Sequence, residues 1–350
     1  MVMRGGSSKG AYFVEEDLPA DPAERDSLLL RIMGTPDPRQ IDGIGGAHPL
    51  TSKVAIIAPS ATDGVDVEYL FLQLGVEDEL VSDRQNCGNL LAGVAPFAVE
   101  RGLVRAEGSG PREVRVLMRN TGAIATASIA VRDGLPVYVG PTAISGVPGT
   151  ASPIRLDFED VAGGSCGALL PTGNRSDTID GVACTLIDNG MPVVVMLASD
   201  LGVDGSETPA DLEANEDLRT RLESIRLAAG PLMNLGDVAD TTVPKLTMVS
   251  APRTDSGDLC TRTFIPHRCH DAIGVLGAVS VATAAVLPGT PAADLLAGGA
   301  DGSIVLEHPT GSFEAAVSLR TESATPIVER AGIIRTARKL IDGIVFPRDY

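Results

Sequence analysis

A polar tetrapeptide, Asn86-Cys87-Gly88-Asn89, stands directly before an apolar segment that predicts a buried helix over residues 90–101. The N-terminus of a helix carries free backbone N–H groups and the positive end of the helix dipole, which favour a thiolate and bind carboxylates. Gly88 would let a ligand approach the backbone closely. The pattern predicts an acid/base thiol or a carboxylate site at Cys87, and the alternative is a buried cysteine without a function.

Lys53 begins an apolar segment, Val54 to Ile57, that predicts a buried strand. A lysine at this place is either a solvated charge at the end of a strand or an amine that is partly removed from water. Desolvation favours the neutral amine, which can act as a general base. The pattern alone favours the solvated charge, and Lys9 has the same ambiguity.

The opening segment RGGSSKG, residues 4–10, is rich in glycine but does not match the G-x-x-x-x-G-K-[ST] pattern of phosphate loops. Its backbone amides, with Arg4, Ser7 and Ser8, would bind a carboxylate, and a tight turn is the alternative. Arg268 lies in a second polar break, HRCH, and is interpreted as a bidentate carboxylate clamp. Since no further His/Cys cluster accompanies that break, no metal site is predicted.

The run GGSCG, residues 163–167, matches the G-x-S-x-G pattern of serine hydrolases. That pattern requires a helix directly after the serine, and Pro171 and Gly173 would interrupt such a helix. A hydrolase with Ser165 as its nucleophile is therefore the weaker alternative.

The composition excludes several classes of function. The 350 residues carry 28 Lys and Arg against 46 Asp and Glu, a net charge of −18, and aromatic residues make up 3% with no Trp. Such a charge disfavours non-specific binding of nucleic acid or anionic lipid but leaves room for a local basic site, and the low aromatic content disfavours platforms for base stacking. Five cysteines without a C-x-x-C pair indicate reduced thiols, and the sequence shows neither a secretory signal nor an apolar run of about 18 residues. A soluble, cytoplasmic protein is expected.

The order of elements repeats along the chain. Each half contains a strand, an amphipathic helix, two further strands, a polar break and an apolar helix. The predicted helices span residues 21–33, 90–101, 211–227 and 272–286.

This repeat predicts an α+β protein of two pseudo-symmetric lobes, residues 1–180 and 181–350. Each lobe is expected to wrap a curved, mostly antiparallel sheet around its apolar helix. The site is expected in the cleft between the lobes, where the two apolar helices begin. The last strand, near residues 332–346, is expected to return to the first lobe.

A set of motifs resembles the PrpF-like family, whose members share the diaminopimelate-epimerase-like fold. The motifs cover almost the whole chain, and together they are specific. They are MRGGSSKG (3–10), GGAHPLTSKV (45–54), NCGN (86–89), PFAVERGLV (96–104), SCGALLPTGN (165–174), IDNGMPV (187–193), SAPR (250–253) and FIPHRCH (264–270).

The resemblance implies roles for particular residues. It places the family's catalytic lysine at Lys53 and its helix-start cysteine at Cys87. It also implies a set of groups that hold the substrate: Arg4, Ser7, Ser8, Thr51, Ser52, Gly88, Asn89, Arg268 and Gly274. Ser7 stands where the family usually has threonine, and the missing leader predicts a shortened first strand.

The second apolar helix departs from the two-thiol epimerases of the wider superfamily. Its start reads Ala272-Ile273-Gly274-Val275, and Cys269 lies some residues earlier. Inversion at a stereocentre needs bases on two faces, whereas a 1,3-proton shift can use one base on one face. The sequence therefore favours a proton shift over a two-thiol racemisation.

The resemblance implies a tautomerase or allylic isomerase of a small unsaturated tricarboxylate, with 4-oxalomesaconate from aromatic-acid degradation as the implied substrate. No metal or organic cofactor is required, because conjugation already acidifies the proton. The alternatives are 2-methylaconitate or aconitate isomerisation and, in another class, a non-catalytic carboxylate-binding protein. The small tricarboxylate is the expected partner, and a homodimer is an option for the assembly.

Overall fold

The chain folds into two compact units, which we call unit 1 and unit 2. Unit 1 consists of Met1–Leu156 with the C-terminal segment from Ile334 onward, and unit 2 consists of Asp157–Ile333. The computed structural model describes residues 1–83, 86–159, 161–296, 303–320 and 326–349.

The predicted boundary at residue 180 falls inside unit 2. The segment before that residue is hydrogen-bonded to a strand of unit 2, which explains the difference. Ser165 and Cys166 donate their backbone N–H groups to Asp188 Oδ2 at 2.7 and 2.8 Å. The chain therefore changes units some 24 residues earlier than the glycine-rich stretch indicates, 180 against 156.

Each of the four segments predicted to be helical contains helix in the structure, which has five α-helices in its described residues. They are α1 (Pro22–Met33), α2 (Gly88–Glu100), α3 (Pro209–Ala214), α4 (Glu216–Leu232) and α5 (Val275–Val286). The single helix predicted over residues 211–227 is wrong, because Asn215 leaves helical geometry and separates α3 from α4. Asn215 Oδ1 then accepts a hydrogen bond from the backbone N–H of Leu218 at 3.0 Å, which caps α4.

The strands of unit 1 form one sheet that surrounds α2. They are β1 (Val2–Gly5), β2 (Ser8–Val14), β3 (Lys53–Pro59), β4 (Val67–Leu74), β5 (Val81–Ser82), β6 (Gly110–Met118), β7 (Ala123–Arg132), β8 (Leu135–Pro136), β9 (Pro153–Phe158) and the C-terminal part of β17 (Ile327–Ile341). Their main pairing order is β17–β1–β2–β3–β4–β6–β7, and β9 pairs with both β7 and β17. In this main order the pairs β2–β3 and β4–β6 are parallel, and the other pairs are antiparallel.

Unit 2 repeats this succession. Its strands are β10 (Asp177–Ile179), β11 (Val182–Asp188), β12 (Pro192–Leu197), β13 (Lys245–Ser250), β14 (Leu259–Phe264), β15 (Ile304–His308), β16 (Gly311–Arg320) and the N-terminal part of β17. A hairpin (β11–β12), a parallel pair (β12–β13), an antiparallel pair (β13–β14) and a second parallel pair (β14–β15) follow in the same order as in unit 1. The predicted α+β class and the internal duplication are confirmed.

A buried helix lies at the centre of each unit. Every residue of α2 from Leu90 to Val99 is buried, and the helix packs against strands β1 to β4 and β6 to β8. In unit 2, α5 is buried from Gly277 to Ala285. It begins three residues later than predicted because Gly274 is extended, with φ −67° and ψ 147°. None of the helices in the described ranges is long and apolar enough to span a membrane.

Candidate active site

The opening segment is a β-hairpin rather than a loop followed by a short strand. β1 and β2 are joined by the two-residue turn Gly6-Ser7, and Gly6 has the left-handed φ of +52° that such a turn requires. Side chains in a strand alternate between faces, so Gly5, Ser8 and Tyr12 lie on the face that packs against α2. The glycines of this segment therefore allow the hairpin to approach the start of α2.

The N-terminus of α2 lies against this turn. Cys87 is its N-cap and is half-buried, and its side chain does not cap the helix. Asn89 Nδ2 donates a hydrogen bond to Ser7 Oγ at 3.2 Å, which ties the turn to the first helical residues. The backbone N–H groups of Gly88 and Asn89 belong to the first turn, where no intrahelical acceptor exists. Thiol, hydroxyl, amide and helix dipole are thus assembled at one place.

Two buried phenols lie beside Cys87. Tyr69 Oη donates a hydrogen bond to the Cys87 carbonyl oxygen at 3.3 Å, and Tyr12 Oη donates to the Leu90 carbonyl oxygen at 2.6 Å. Burial raises the pKa of both tyrosines well above its ordinary value, and the charge of a Cys87 thiolate raises it further. Both phenols therefore stay protonated and act as fixed hydrogen-bond donors that hold the first turn of α2.

Lys53 is not a solvated charge at the end of a strand. It is the first residue of β3, only 7% exposed, and its Nζ donates a hydrogen bond to Gln73 Oε1 at 2.6 Å. The orientation of the Gln73 amide is fixed, because its Nε2 donates to the carbonyl oxygens of Pro49, Ser52 and Leu74 at 3.1 to 3.2 Å. Gln73 therefore holds the amine of Lys53 in one position.

Strand register places Lys53 on the same side of the sheet as Cys87. Lys53 lies opposite Gly10 of β2 and Gln73 of β4, and Gly10 packs against Leu90 of α2. The Lys53 Nζ also lies 5.1 Å from the ring centroid of Phe71, one of the residues on this side. Unit 1 thus directs both candidate acid/base groups, Lys53 and Cys87, to the face that carries α2.

A cavity of about 580 Å³ in unit 1 is lined by four of the residues expected to bind carboxylates, Arg4, Ser7, Ser8 and Thr51. Arg4 Nη1 donates to the carbonyl oxygens of Gly6 and Thr336 at 2.8 and 2.9 Å, so the guanidinium is held against β17. A cavity of this size suits a small molecule. The turn Gly6-Ser7 joins this cavity to the start of α2.

Ser8 and Ser52, two further serines of the candidate set, differ in what they contact. Ser8 is 2% exposed, and its Oγ has no hydrogen-bond partner among the described residues, which leaves it available to a ligand. Ser52 is fully buried, and its Oγ lies 2.8 Å from Gln40 Oε1 and 3.0 Å from the His48 carbonyl oxygen. Those contacts give Ser52 a role in holding the segment before Lys53.

The remaining candidates, Arg268 and Gly274, belong to unit 2. Gly274 is the N-cap of α5, the position that Cys87 takes on α2, so the second buried helix begins without a thiol. Cys269 lies five residues earlier and is buried, and burial raises the pKa of its thiol to about 11. The Arg268 side chain is 85% exposed, and its Nε lies 3.7 Å from Glu213 Oε1.

The described structure does not support the alternative of a serine hydrolase at Ser165. The residues after Ser165 form turns up to residue 173, so the helix that a nucleophile elbow requires is absent from this described segment. No group of three or more His, Cys, Asp or Glu side chains within the described ranges could hold a metal ion.

Replacing Gly6 with alanine is expected to destabilise the protein more than the same change at Gly108. Both glycines have a left-handed φ, +52° and +67°, so each substitution costs about 1–2 kcal/mol of conformational strain. At Gly6 the new Cβ would also collide with Asn89 Oδ1, whereas nothing lies within 4 Å at Gly108. Urea unfolding measures the free energy of unfolding of each variant. Equal losses of stability in the two variants would show that the turn does not pack closely against α2.

Two features of the site were missed by sequence reasoning. Gln73 gave no signal because its place in the chain does not show which residue lies opposite it, and only the register of β3 and β4 brings it to Lys53. The phenols of Tyr12 and Tyr69 were missed because each lies in a separate strand. Tyr69 and Gln73 lie four residues apart in β4 and therefore share a face, because side chains alternate between the two faces of a strand.

Comparisons with known proteins place this chain among characterised relatives. The family model described as "PrpF protein" matches residues 1–348. The (4E)-oxalomesaconate Delta-isomerase of Novosphingobium sp. (strain KA1) is 56% identical over 348 residues, covering 99% of this chain and 96% of the relative. The 4-oxalomesaconate tautomerase of Pseudomonas putida is 55% identical over 347 residues, covering 99% and 94%. The crystal structure of a methylitaconate-delta-isomerase superposes with a TM-score of 0.87 at 34% identity, covering 98% of this chain and 93% of that chain.

Proposed function

Since this chain belongs to the PrpF family, we propose that it is an isomerase that moves a proton on 4-oxalomesaconate. The observation that carries the substrate assignment is the identity of 55–56% over nearly the full length to two proteins named for that compound. A tautomerase and a Δ-isomerase share the removal of a proton next to a conjugated carbonyl. They differ in the atom to which the proton returns.

We assign the proton transfer to Lys53 and Cys87. Lys53 in its unprotonated form takes the acidic proton of the substrate, and the electron pair of the broken C–H bond is delocalised into the carbonyl as a dienolate. Return of a proton from Lys53 or Cys87 to another atom completes the isomerisation, so no electron is gained or lost. This assignment is supported by their shared face of the sheet and by the half-buried position of Cys87 at a helix start.

The remaining groups stabilise and hold the anion. The backbone N–H groups of Gly88 and Asn89, at the positive end of the α2 dipole, are directed at the charge that develops on the dienolate. Ser8 and the neighbouring cavity with Arg4 are assigned to the carboxylates, because a buried unpartnered hydroxyl and a fixed guanidinium are suited to them. Holding a small polyanion in one orientation is itself a large part of catalysis.

The asymmetry between the units supports a proton shift rather than racemisation. α2 begins at Cys87 and α5 begins at Gly274, so the second helix start has no acid/base side chain at the equivalent place. A two-thiol inversion needs such a group at both. Proton removal and return on one face needs only the groups of unit 1.

Turnover of a panel of substrates tests the substrate assignment. We expect kcat/KM for 4-oxalomesaconate to exceed that for methylitaconate at least about ten-fold, a difference of about 1.4 kcal/mol in transition-state binding. Methylitaconate is the second candidate because the similar crystal structure belongs to an isomerase named for it. A higher kcat/KM for methylitaconate, or no turnover of 4-oxalomesaconate, would overturn the assignment.

Gln73→Glu is expected to move the pH profile of the reaction to higher pH. A carboxylate at the position of Gln73 Oε1, 2.6 Å from the Lys53 amine, would favour the protonated amine. The rate at neutral pH then falls and recovers partly as the pH rises. Gln73→Met, which has a similar length and no charge, serves as the control and should lower the rate without moving the profile. If both variants lower the rate equally at every pH, Gln73 has only a structural role.

A further inference from the structure

Three cations stand side by side on neighbouring strands of unit 1. Arg4 of β1 lies directly opposite Lys9 of β2 and directly opposite Arg338 of β17. Residues opposite each other in antiparallel strands have Cβ atoms about 4.5–5.5 Å apart, and like charges at such positions destabilise a sheet. We call Lys9, Arg4 and Arg338 the cation row.

No carboxylate neutralises the cation row within the described ranges. The ion pairs of those ranges do not include Lys9, Arg4 or Arg338, although the chain has 46 acidic residues for 28 basic ones. The next cation along β17 shows the contrast, because Lys339 forms an ion pair with Glu100. Burial and the neighbouring Arg338 lower the pKa of Arg4 from its ordinary value, as expected for a cation with a like-charged neighbour.

The cation row lines the cavity of about 580 Å³ already described. All three members contribute to its wall, together with the hydroxyl-bearing Ser7, Thr51 and Thr336, and no acidic residue is among the residues that line it. The Arg4 guanidinium is fixed by the Gly6 and Thr336 carbonyl oxygens, so it does not need to be ordered when an anion binds. An anion of more than one negative charge would relieve the repulsion within the row.

From this arrangement we propose that the cation row is a binding site for a small polycarboxylate, in which Lys9 and Arg338 contact the anion beside Arg4. The carboxylates can be those of the isomerase substrate itself, in which case this step rests on the proposed function, or those of a separate anion. The two sources share the same chemistry, because a planar guanidinium and an ammonium pair with carboxylates in either case.

Calorimetric binding of citrate, a stable tricarboxylate, tests the cation row without depending on turnover. We expect the wild-type protein to bind citrate and both Arg338→Gln and Lys9→Gln to weaken binding about ten-fold or more, since a charge-assisted hydrogen bond contributes about 1.5–3 kcal/mol. Arg105→Gln is the matched control, because Arg105 is 88% exposed and the change removes the same charge elsewhere in unit 1. It should leave citrate binding unchanged.

Turnover kinetics distinguish the two sources of the anion. If the row holds the substrate, citrate competes with 4-oxalomesaconate and Arg338→Gln raises KM more than it lowers kcat. If the row holds a separate anion, citrate does not compete with 4-oxalomesaconate, and the KM of Arg338→Gln stays near the wild-type value. Failure of the wild-type protein to bind citrate, or equal binding by all four proteins, would overturn the proposal. Loss of citrate binding in the row variants would uphold it even if 4-oxalomesaconate were not turned over.

Discussion

Lys53→Met is expected to lower kcat/KM for 4-oxalomesaconate by about 10³-fold, within the range usual for removal of a general base. Methionine keeps the length of the buried stem and removes the amine that takes the proton. The Phe71 ring, 5.1 Å from Nζ, and the Gln73 amide remain in place, so the fold should tolerate the change. Steady-state kinetics measure the loss, and the thermal unfolding midpoint checks that the variant is folded.

Lys245→Met provides the matched control. Lys53 is the first residue of β3, which pairs in parallel with the hairpin strand β2 of unit 1. Lys245 is likewise the first residue of β13, which pairs in parallel with the hairpin strand β12 of unit 2. The same chemical change at the equivalent place should leave kcat/KM within about two-fold of the wild-type value. A folded Lys53→Met variant with wild-type activity would show that another group removes the proton.

Cys87→Ser is expected to lower kcat/KM by about 10²-fold, because a hydroxyl is a much weaker acid than a thiol and cannot exchange the proton as readily. Cys87 is half-buried at the start of α2, whereas Cys166, Cys184, Cys260 and Cys269 are buried. Iodoacetamide should therefore alkylate Cys87 first, and substrate should protect it. Kinetics and mass spectrometry of the alkylated protein measure the two effects.

Cys269→Ser is the control for the thiol. Burial raises the pKa of Cys269 to about 11, so this cysteine stays a neutral thiol near pH 7, and its replacement should not change the rate. If Cys269→Ser were as damaging as Cys87→Ser, both units would supply a thiol and the assignment of a one-sided proton shift would fail. If Cys87→Ser kept full activity, the Cys87 thiol would have no part in proton transfer.

The pattern of the sequence predicted the fold well because the two buried helices have unmistakable compositions. Residues 90–99 and 277–285 contain no charged side chain, and a helix that is apolar all round is buried rather than exposed on a surface. The repeat of strands and polar breaks around these helices then predicted two similar units. The boundary near residue 180 was wrong because glycine content does not show that residues 163–170 are hydrogen-bonded to β11.

The site was predicted less completely, because most of its contacts depend on strand register. The resemblance implied Lys53 and Cys87 as the acid/base groups, whereas the local pattern favoured a solvated Lys53, and only the burial of Lys53 beside Gln73 excludes that interpretation. The resemblance implied that Ser52 binds substrate, and its contacts with Gln40 and His48 could not be predicted from the sequence. Arg338 lies more than 300 residues from Arg4 in the chain and could not be paired with it before β17 was placed.

The measurement that tests the central claim most directly follows the carbon-bound acidic proton of 4-oxalomesaconate by ¹H NMR in deuterium oxide. Both tautomerisation and a double-bond shift pass through loss of this proton, so the result does not depend on the product. We predict that the wild-type enzyme replaces the proton by solvent deuterium far faster than the uncatalysed reaction, and that Lys53→Met does so no faster than buffer. Absence of exchange with the wild-type enzyme, or exchange at the wild-type rate with Lys53→Met, would contradict proton transfer by Lys53.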